Sequence, residues 1–435
     1  MTDWHFIDDN GSFDLADPQR HSRLYFPLVN EGGLVAVITP TLHGDVKAGQ
    51  NRFLTLPVSA EDLHISRAAR NFWVNVAGYG AWSATGNSAR QIAQNFVTED
   101  AEQVELQAGF LWHQLTRRNP ALGLKAEITN FVPSGGDLPA EAHLVELMHV
   151  VLTNVGPEPL TLTPTAAIPI FGRSADRVRD HRHVTSLLHR IYTHEYGVLV
   201  RPTLAFEERG HRTNTVAYAV LGAEGNGRAP VAFFPKLETF IGPGGSLDWP
   251  QAVVESGLTG LVAGQWLAGY EAMGALRFRT ITVDPGQSWT CVLVLGILDQ
   301  NMDPEALMAR YGDHTRFEAW LTRTKIHWEQ KLASLQMDLG EARFNGWLKW
   351  VTLQPILRRI CGNSFLPYHD YGRGGRGWRD LWQDQLALLI MEPGEVRDQL
   401  FSNFAGVRLD GSNATIIGDA PGEFRADRND IPRVW

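Results

Sequence analysis

The densest chemistry in the chain lies in residues 368–384, Y-H-D-Y-G-R-G-G-R-G-W-R-D-L-W-Q-D. Arg373, Arg376 and Arg379 are interleaved with Gly372, Gly374, Gly375 and Gly377, and Asp370, Asp380 and Asp384 stand among them. Glycine lets backbone approach a ligand closely. Guanidinium and carboxylate groups make charge-assisted hydrogen bonds of fixed direction. Tyr368, Tyr371, Trp378 and Trp382 offer flat apolar faces with polar edges. Carboxylates accept from hydroxyls and arginine donates to them, so the set suits a polyhydroxylated ligand such as a sugar. The same residues also fit a glycine hinge before an ordinary helix, since acidic residues favour a first turn and two tryptophans can pack on each other. No Gly-Lys-Ser/Thr follows the glycines, which excludes a phosphate-loop nucleotide site.

From Arg379 the pattern turns helical, with Leu381, Leu386, Leu388, Leu389 and Ile390 apolar. Asp380 and Asp384 are four apart and share a helix face. Helices are expected over 379–391 and 395–405, with loop from 408. Upstream, Leu307, Met308 and Tyr311, then Phe317, Trp320, Leu321, Ile326, Trp328 and Leu332, form an apolar stripe at helical spacing. Phe344, Trp347, Leu348 and Val351 open a further helix, expected to kink near Pro355.

Residues 1–300 read differently. Short mixed segments at 24–29, 33–39, 52–58, 71–76, 104–115, 122–131, 143–154, 160–170, 198–202, 214–221, 231–234, 275–283 and 289–298 are separated by Gly, Asn, Asp and Pro clusters. That pattern predicts an antiparallel β-sandwich. The expected organisation is a β-sandwich domain over 1–300, a helical linker over 301–338, and the start of a helical domain over 339–435.

A net charge of −9 argues against nucleic acid as a partner. Cys291 and Cys361 are the only cysteines, which fits a reducing cytoplasm rather than a disulfide framework. The N-terminus lacks a basic segment followed by an apolar one, so no signal peptide is expected. The longest apolar run, 291–298, is far short of the roughly 20 residues a membrane helix needs. His181, His183, His189 and His194 cluster within 180–194, but their spacing matches no common zinc pattern. An exposed polar loop is expected there, another at 206–214, and no metal.

The order of these elements, with G-x-G-W-R-D-L-W-Q-D opening the helical part, resembles the cellobiose-phosphorylase family of inverting glycoside phosphorylases, glycoside hydrolase family 94. The stretches L-Y-F-P-L-V-N-E-G-G, I-T-P-T-L-H-G-D-V-K, P-V-S-A-E-D-L-H, S-R-A-A-R-N-F-W-V, P-T-L-A-F-E-E-R-G-H and D-R-N-D-I-P-R-V-W resemble its 1,2-β-oligoglucan phosphorylase branch. The resemblance implies a β-sandwich, a helical linker and an (α/α)6 barrel. It implies reversible phosphorolysis of β-1,2-linked glucooligosaccharides to α-glucose 1-phosphate, with a β-glucan and inorganic phosphate as partners and no other cofactor. Carried onto this chain, Arg379 and Asp384 hold the sugar, with Arg376, Asp380 and Trp378 beside them.

Family members are longer, and most of their barrel corresponds to positions past Trp435. Two positions are open for the general acid: Asp430, or an aspartate past Trp435, the second being favoured. The 435-residue chain is accordingly expected to be inactive alone, and to expose Phe344, Trp347, Leu386 and Leu389. A homodimer, or a second chain completing the barrel, is compatible with this. The alternative reading is a non-catalytic sugar-binding or assembly module.

Overall fold

The computed structural model describes residues 4–21, 23–49, 51–59, 61–97, 102–136, 144–175, 182–205, 212–255, 257–299, 301, 303–361, 376–386, 388–417 and 424–425. Its centre is an antiparallel sheet of eleven strands. In spatial order these are Trp4–Phe6, Phe13–Ala16, Gln103–Gly109, Trp112–Asn119, Leu124–Phe131, Val145–Asn154, Ser288–Asp299, Val216–Glu224, Gly197–Val200, Arg190–His194 and Trp266–Ala268. A six-stranded sheet built on Leu160–Ile170, Asn71–Val76 and Ala272–Arg277 packs against it. Strand side chains alternate between faces, and the sequence obeys that period. Met148, Val150 and Leu293 point into the core between the sheets. Leu147, Val292 and Val294 point the other way, under two helices. The central strands are therefore covered on both faces, which is why they read as nearly unbroken apolar runs.

The helices are α1 (Ala89–Val97), α2 (Arg182–Ser186), α3 (Leu237–Ile241), α4 (Gln251–Val254), α5 (Pro304–Tyr311), α6 (His314–Leu332), α7 (Ala342–Cys361), α8 (Trp378–Leu386) and α9 (Pro393–Phe404). The side chain of Asp303 caps α5 by accepting from the Glu305 N–H, ahead of Pro304, and Asp313 caps α6 by accepting from Arg316 N–H. α5 and α6 lay Leu307, Met308, Tyr311, Phe317 and Leu321 on the outer face of the long sheet. α7 continues through Pro355 to Cys361. Among the described residues, no helix is long and apolar enough to cross a membrane.

Several local expectations need correction, among them the helix expected over 379–391, which ends at Leu386. The run 104–115 is a hairpin rather than one strand, turning at Phe110 and Leu111, the latter at φ 61. The turn is apolar because both residues are buried against α7, so it carries no polar turn signal. The run 275–283 breaks into Ala272–Arg277 and Ile281–Val283. Ile326 is exposed, and Thr324 takes the inward position, its hydroxyl accepting from the Ser134 N–H at 3.1 Å. His189 is buried rather than on an exposed loop, and His194 ends a strand of the long sheet.

Two charged clusters hold the β region and the helices in place. Inside the β region, Arg70 and Glu146 are both fully buried and form a bidentate pair at 2.6 and 2.7 Å. Arg70 also donates to the Gly44 carbonyl at 2.9 Å, and Asn130 donates to Glu146 at 2.9 Å. Gly44 sits at φ +129, and a Cβ there would lie 1.9 Å from the Val37 carbonyl oxygen, so only glycine fits.

The second cluster joins the sandwich to the helices. Glu31, in the turn between Phe26–Val29 and Leu34–Ile38, meets Lys331 and, at 3.3 Å, His327 of α6. Lys331 reaches Glu392 at 2.9 Å. Arg359 of α7 binds Glu392 and Glu395 at the start of α9. Around this knot Leu388 and Val396 join Leu353, Ile356 and Leu357 in one cluster with Val29, Val35, Phe110 and Leu111 of the β region.

Removing one partner of a buried ion pair strands the other's charge, at a cost of about 3–5 kcal/mol. Glu146→Ala is expected to show that loss in urea denaturation, and Arg70→Met with Glu146→Leu to recover most of it. His327 and then Lys331 hold the Glu31 carboxyl down to about 2 from its usual 4.5, against the opposing effect of burial. A depressed carboxylate stabilises above its unfolded value and loses that contribution as pH falls toward the folded one. The wild-type protein should therefore lose stability between pH 4.5 and 2, and Glu31→Gln should lose less over that range. Parallel stability–pH curves would remove Glu31 from this role.

Candidate functional site

The glycine-rich stretch is described from Arg376 onward. Arg376 and Gly377 pair with Ile416–Ile417, which pair in turn with Phe424–Arg425. This small sheet, made of two-residue strands, feeds directly into α8, where the Trp378 N–H donates to the Thr415 carbonyl at 3.0 Å. The expected loop after 408 thus contributes strands that fix the backbone of the predicted site.

At the first turn of α8, Arg379 Nη2 lies 3.1 Å from Asp380 Oδ1. The Arg379 side chain is 60% exposed and that of Asp380 35%. A pair this exposed contributes about 1 kcal/mol or less, so a ligand hydroxyl can compete for either group. Gly377 allows the arrangement, because a Cβ there would stand 2.6 Å from Asp380 Oδ2. The Asp380 carboxylate also lies at a helix N-terminus, where the backbone dipole favours negative charge.

Trp378 is packed between α8 and α9. Its indole N–H donates to the Asn403 carbonyl at 3.2 Å. Its ring meets Trp382 edge-on at 5.3 Å, and Trp382 meets Phe404 of α9 at 4.7 Å. The ladder Trp378–Trp382–Phe404 ties α8 to α9, while the charge knot at the start of α9 ties that helix to the sandwich. Asp384 lies in α8 and Arg376 in its short strand, but both side chains lie outside the described residues, as do residues 368–375 and Asp430. The structure therefore places Arg379, Asp380 and Trp378 of the predicted set at the start of α8, and the side chains of Arg376 and Asp384 and the whole of Asp430 lie outside the described residues.

Phe344, Trp347, Leu386 and Leu389 are all exposed, matching expectation. Sequence reasoning missed the supporting residues Glu31, Lys331, Arg359 and Glu392. The partners are separated by up to several hundred positions, and no local pattern links them.

Comparison with known proteins bears on what this scaffold is. Residues 75–314, more than half of the chain, match the model of the glycosyl hydrolase 94 supersandwich domain. Over 286 residues the chain is 23% identical to N,N'-diacetylchitobiose phosphorylase of Vibrio proteolyticus, covering 65% of this chain and 33% of that protein. Over 138 residues it is 25% identical to N,N'-diacetylchitobiose phosphorylase of Vibrio furnissii, covering 32% of this chain and 17% of that protein. The chain thus spans a third or less of the length of these curated relatives. Among solved structures it is similar to a family GH92 inverting mannosidase from Bacteroides thetaiotaomicron, at 9% identity and a TM-score of 0.33, covering 82% of this chain and 37% of that one. By its two-sheet sandwich and the match across that region, the chain belongs to glycosyl hydrolase family 94.

Proposed function

We propose that this chain carries the sandwich and part of the sugar-binding wall of an inverting glycoside phosphorylase acting on β-1,2-linked glucooligosaccharides. The observation that carries the reading is its membership of glycosyl hydrolase family 94 through residues 75–314. The geometry of the Arg379–Asp380 junction agrees with it: two charged groups at a helix start, solvent-accessible, on a backbone stapled by a small sheet. Cys291 and Cys361 are buried thiols, which fits the reducing cytoplasm in which such an enzyme would work.

In this reading Arg379 and Asp384 bind hydroxyls of the sugar whose glycosidic bond breaks. Arg376 and Asp380 support them, and Trp378 acts by holding α8 in place. A carboxylic acid, Asp430 or an aspartate downstream of residue 435, gives its proton to the departing glycosidic oxygen. Inorganic phosphate attacks C1 from the opposite face, forming the new C–O bond as the old one breaks. Phosphate is already an anion, so no second carboxylate is needed to activate a water, unlike hydrolytic inversion. A second reading rests on the relatives, which are named as phosphorylases of N,N'-diacetylchitobiose. That disaccharide is the competing donor.

The test uses the product of the full open reading frame, supplied with phosphate and either sophorooligosaccharides or N,N'-diacetylchitobiose. Glucose 1-phosphate release from the β-1,2-glucan is expected. Turnover confined to N,N'-diacetylchitobiose would replace the first reading with the second. Arg379→Ala and Asp384→Asn should each lower kcat/KM by about 100-fold or more, the scale of losing one positioned polar contact to the transition state. Gly377→Ala should push the Asp380 carboxylate aside and lower kcat/KM by about 10-fold. It should change stability by no more than about 0.5 kcal/mol, as for a surface substitution. Normal kcat/KM in both Arg379→Ala and Asp384→Asn would take the junction out of the site.

A further inference from the structure

We propose that His149, His314 and Glu318 form a binding site for one divalent transition-metal ion of the zinc class, clamping α6 to the long sheet. His149 stands on Val145–Asn154, on the sheet face shared with Val145 and Leu147, which packs beneath α5 and α6. His314 is the first residue of α6 and Glu318 stands one turn on. Residues four apart on a helix share a face, so both α6 side chains meet the strand at one point.

The ligand atoms of the three residues lie within 4.8 Å of one another. His314 Nδ1 is 3.3 Å from His149 Nε2. Zinc binds imidazole nitrogen at about 2.0–2.1 Å in tetrahedral sites, which sets two such nitrogens about 3.3–3.4 Å apart. The histidine pair is thus already at the spacing of one edge of that tetrahedron. Two histidines and a carboxylate are also a donor set zinc accepts, with a water as fourth ligand.

The site stands on regular elements. His149 is locked between Thr129 and Val292 in the sheet register, and its ring lies 4.7 Å from that of Phe317. The His314 N–H donates to the Gly225 carbonyl, and Asp313 caps the helix it begins. Ligands held by helix and strand lose little freedom on binding.

The experiment takes the full 435-residue chain, strips it with chelator, and titrates it with zinc chloride by calorimetry and with cobalt chloride by visible absorption. We expect one equivalent of zinc, intense tetrahedral cobalt bands, and a Tm that rises with zinc concentration, as for any ligand selective for the folded state. His314→Ala and Glu318→Gln change exposed side chains and should leave the fold intact while weakening zinc binding by about 100-fold or more. The absence of saturable binding would overturn the site, as would equal affinity in both variants or cobalt spectra of octahedral type only. His149→Ala removes a buried group, so the exposed pair of variants carries the decision.

Discussion

The position of the helical segment relative to the sandwich depends on the charge knot of Glu31, Lys331, Arg359 and Glu392. The apolar cluster beneath it supplies burial, but apolar contact has no preferred direction. Ion pairs do. Glu31 belongs to a tight turn of the sandwich, Lys331 to α6, Arg359 to α7, and Glu392 and Glu395 to the start of α9. An isolated exposed pair would contribute little. Here each cation meets more than one carboxylate, and Glu392 and Glu395 sit at a helix N-terminus that favours them. One knot therefore fixes three helices against one turn, and the Trp378–Trp382–Phe404 ladder passes that placement to α8 and the Arg379–Asp380 pair.

Much of this was legible in the sequence, for reasons that can be named. Alternation in Gln103–Gly109 and the caps at Asp303 and Asp313 are local signals, and they specify local structure. The illegible parts are those where burial replaces a local signal. Phe110 and Leu111 turn a hairpin with two apolar residues because the turn itself is covered. Arg70 and Glu146 look like surface charges in sequence and are wholly buried partners in space. Thr324 replaces Ile326 at the inward position because α6 needs a hydroxyl opposite Ser134.

The candidate site was legible as composition and less so as roles. Arg379 and Asp380 are found together at a helix start, as their types suggest. Trp378 and Trp382 pack edge-on, as sequence spacing allowed from the outset. The strands Ile416–Ile417 and Phe424–Arg425 were unreadable because two residues are too few to show a period. His149, His314 and Glu318 escaped for a related reason: 165 positions separate the two histidines that meet.

The claim that joins fold to chemistry is that a phosphate ion displaces the glucan from the face opposite the proton donor. The stereochemistry of the product tests it most directly. Proton NMR of the sugar phosphate, recorded during the first minutes of turnover on a β-1,2-glucooligosaccharide with the full reading-frame product, distinguishes the anomers by their H1 coupling. The account predicts α-glucose 1-phosphate formed only when phosphate is present. The β anomer, or free glucose released without phosphate, would contradict it.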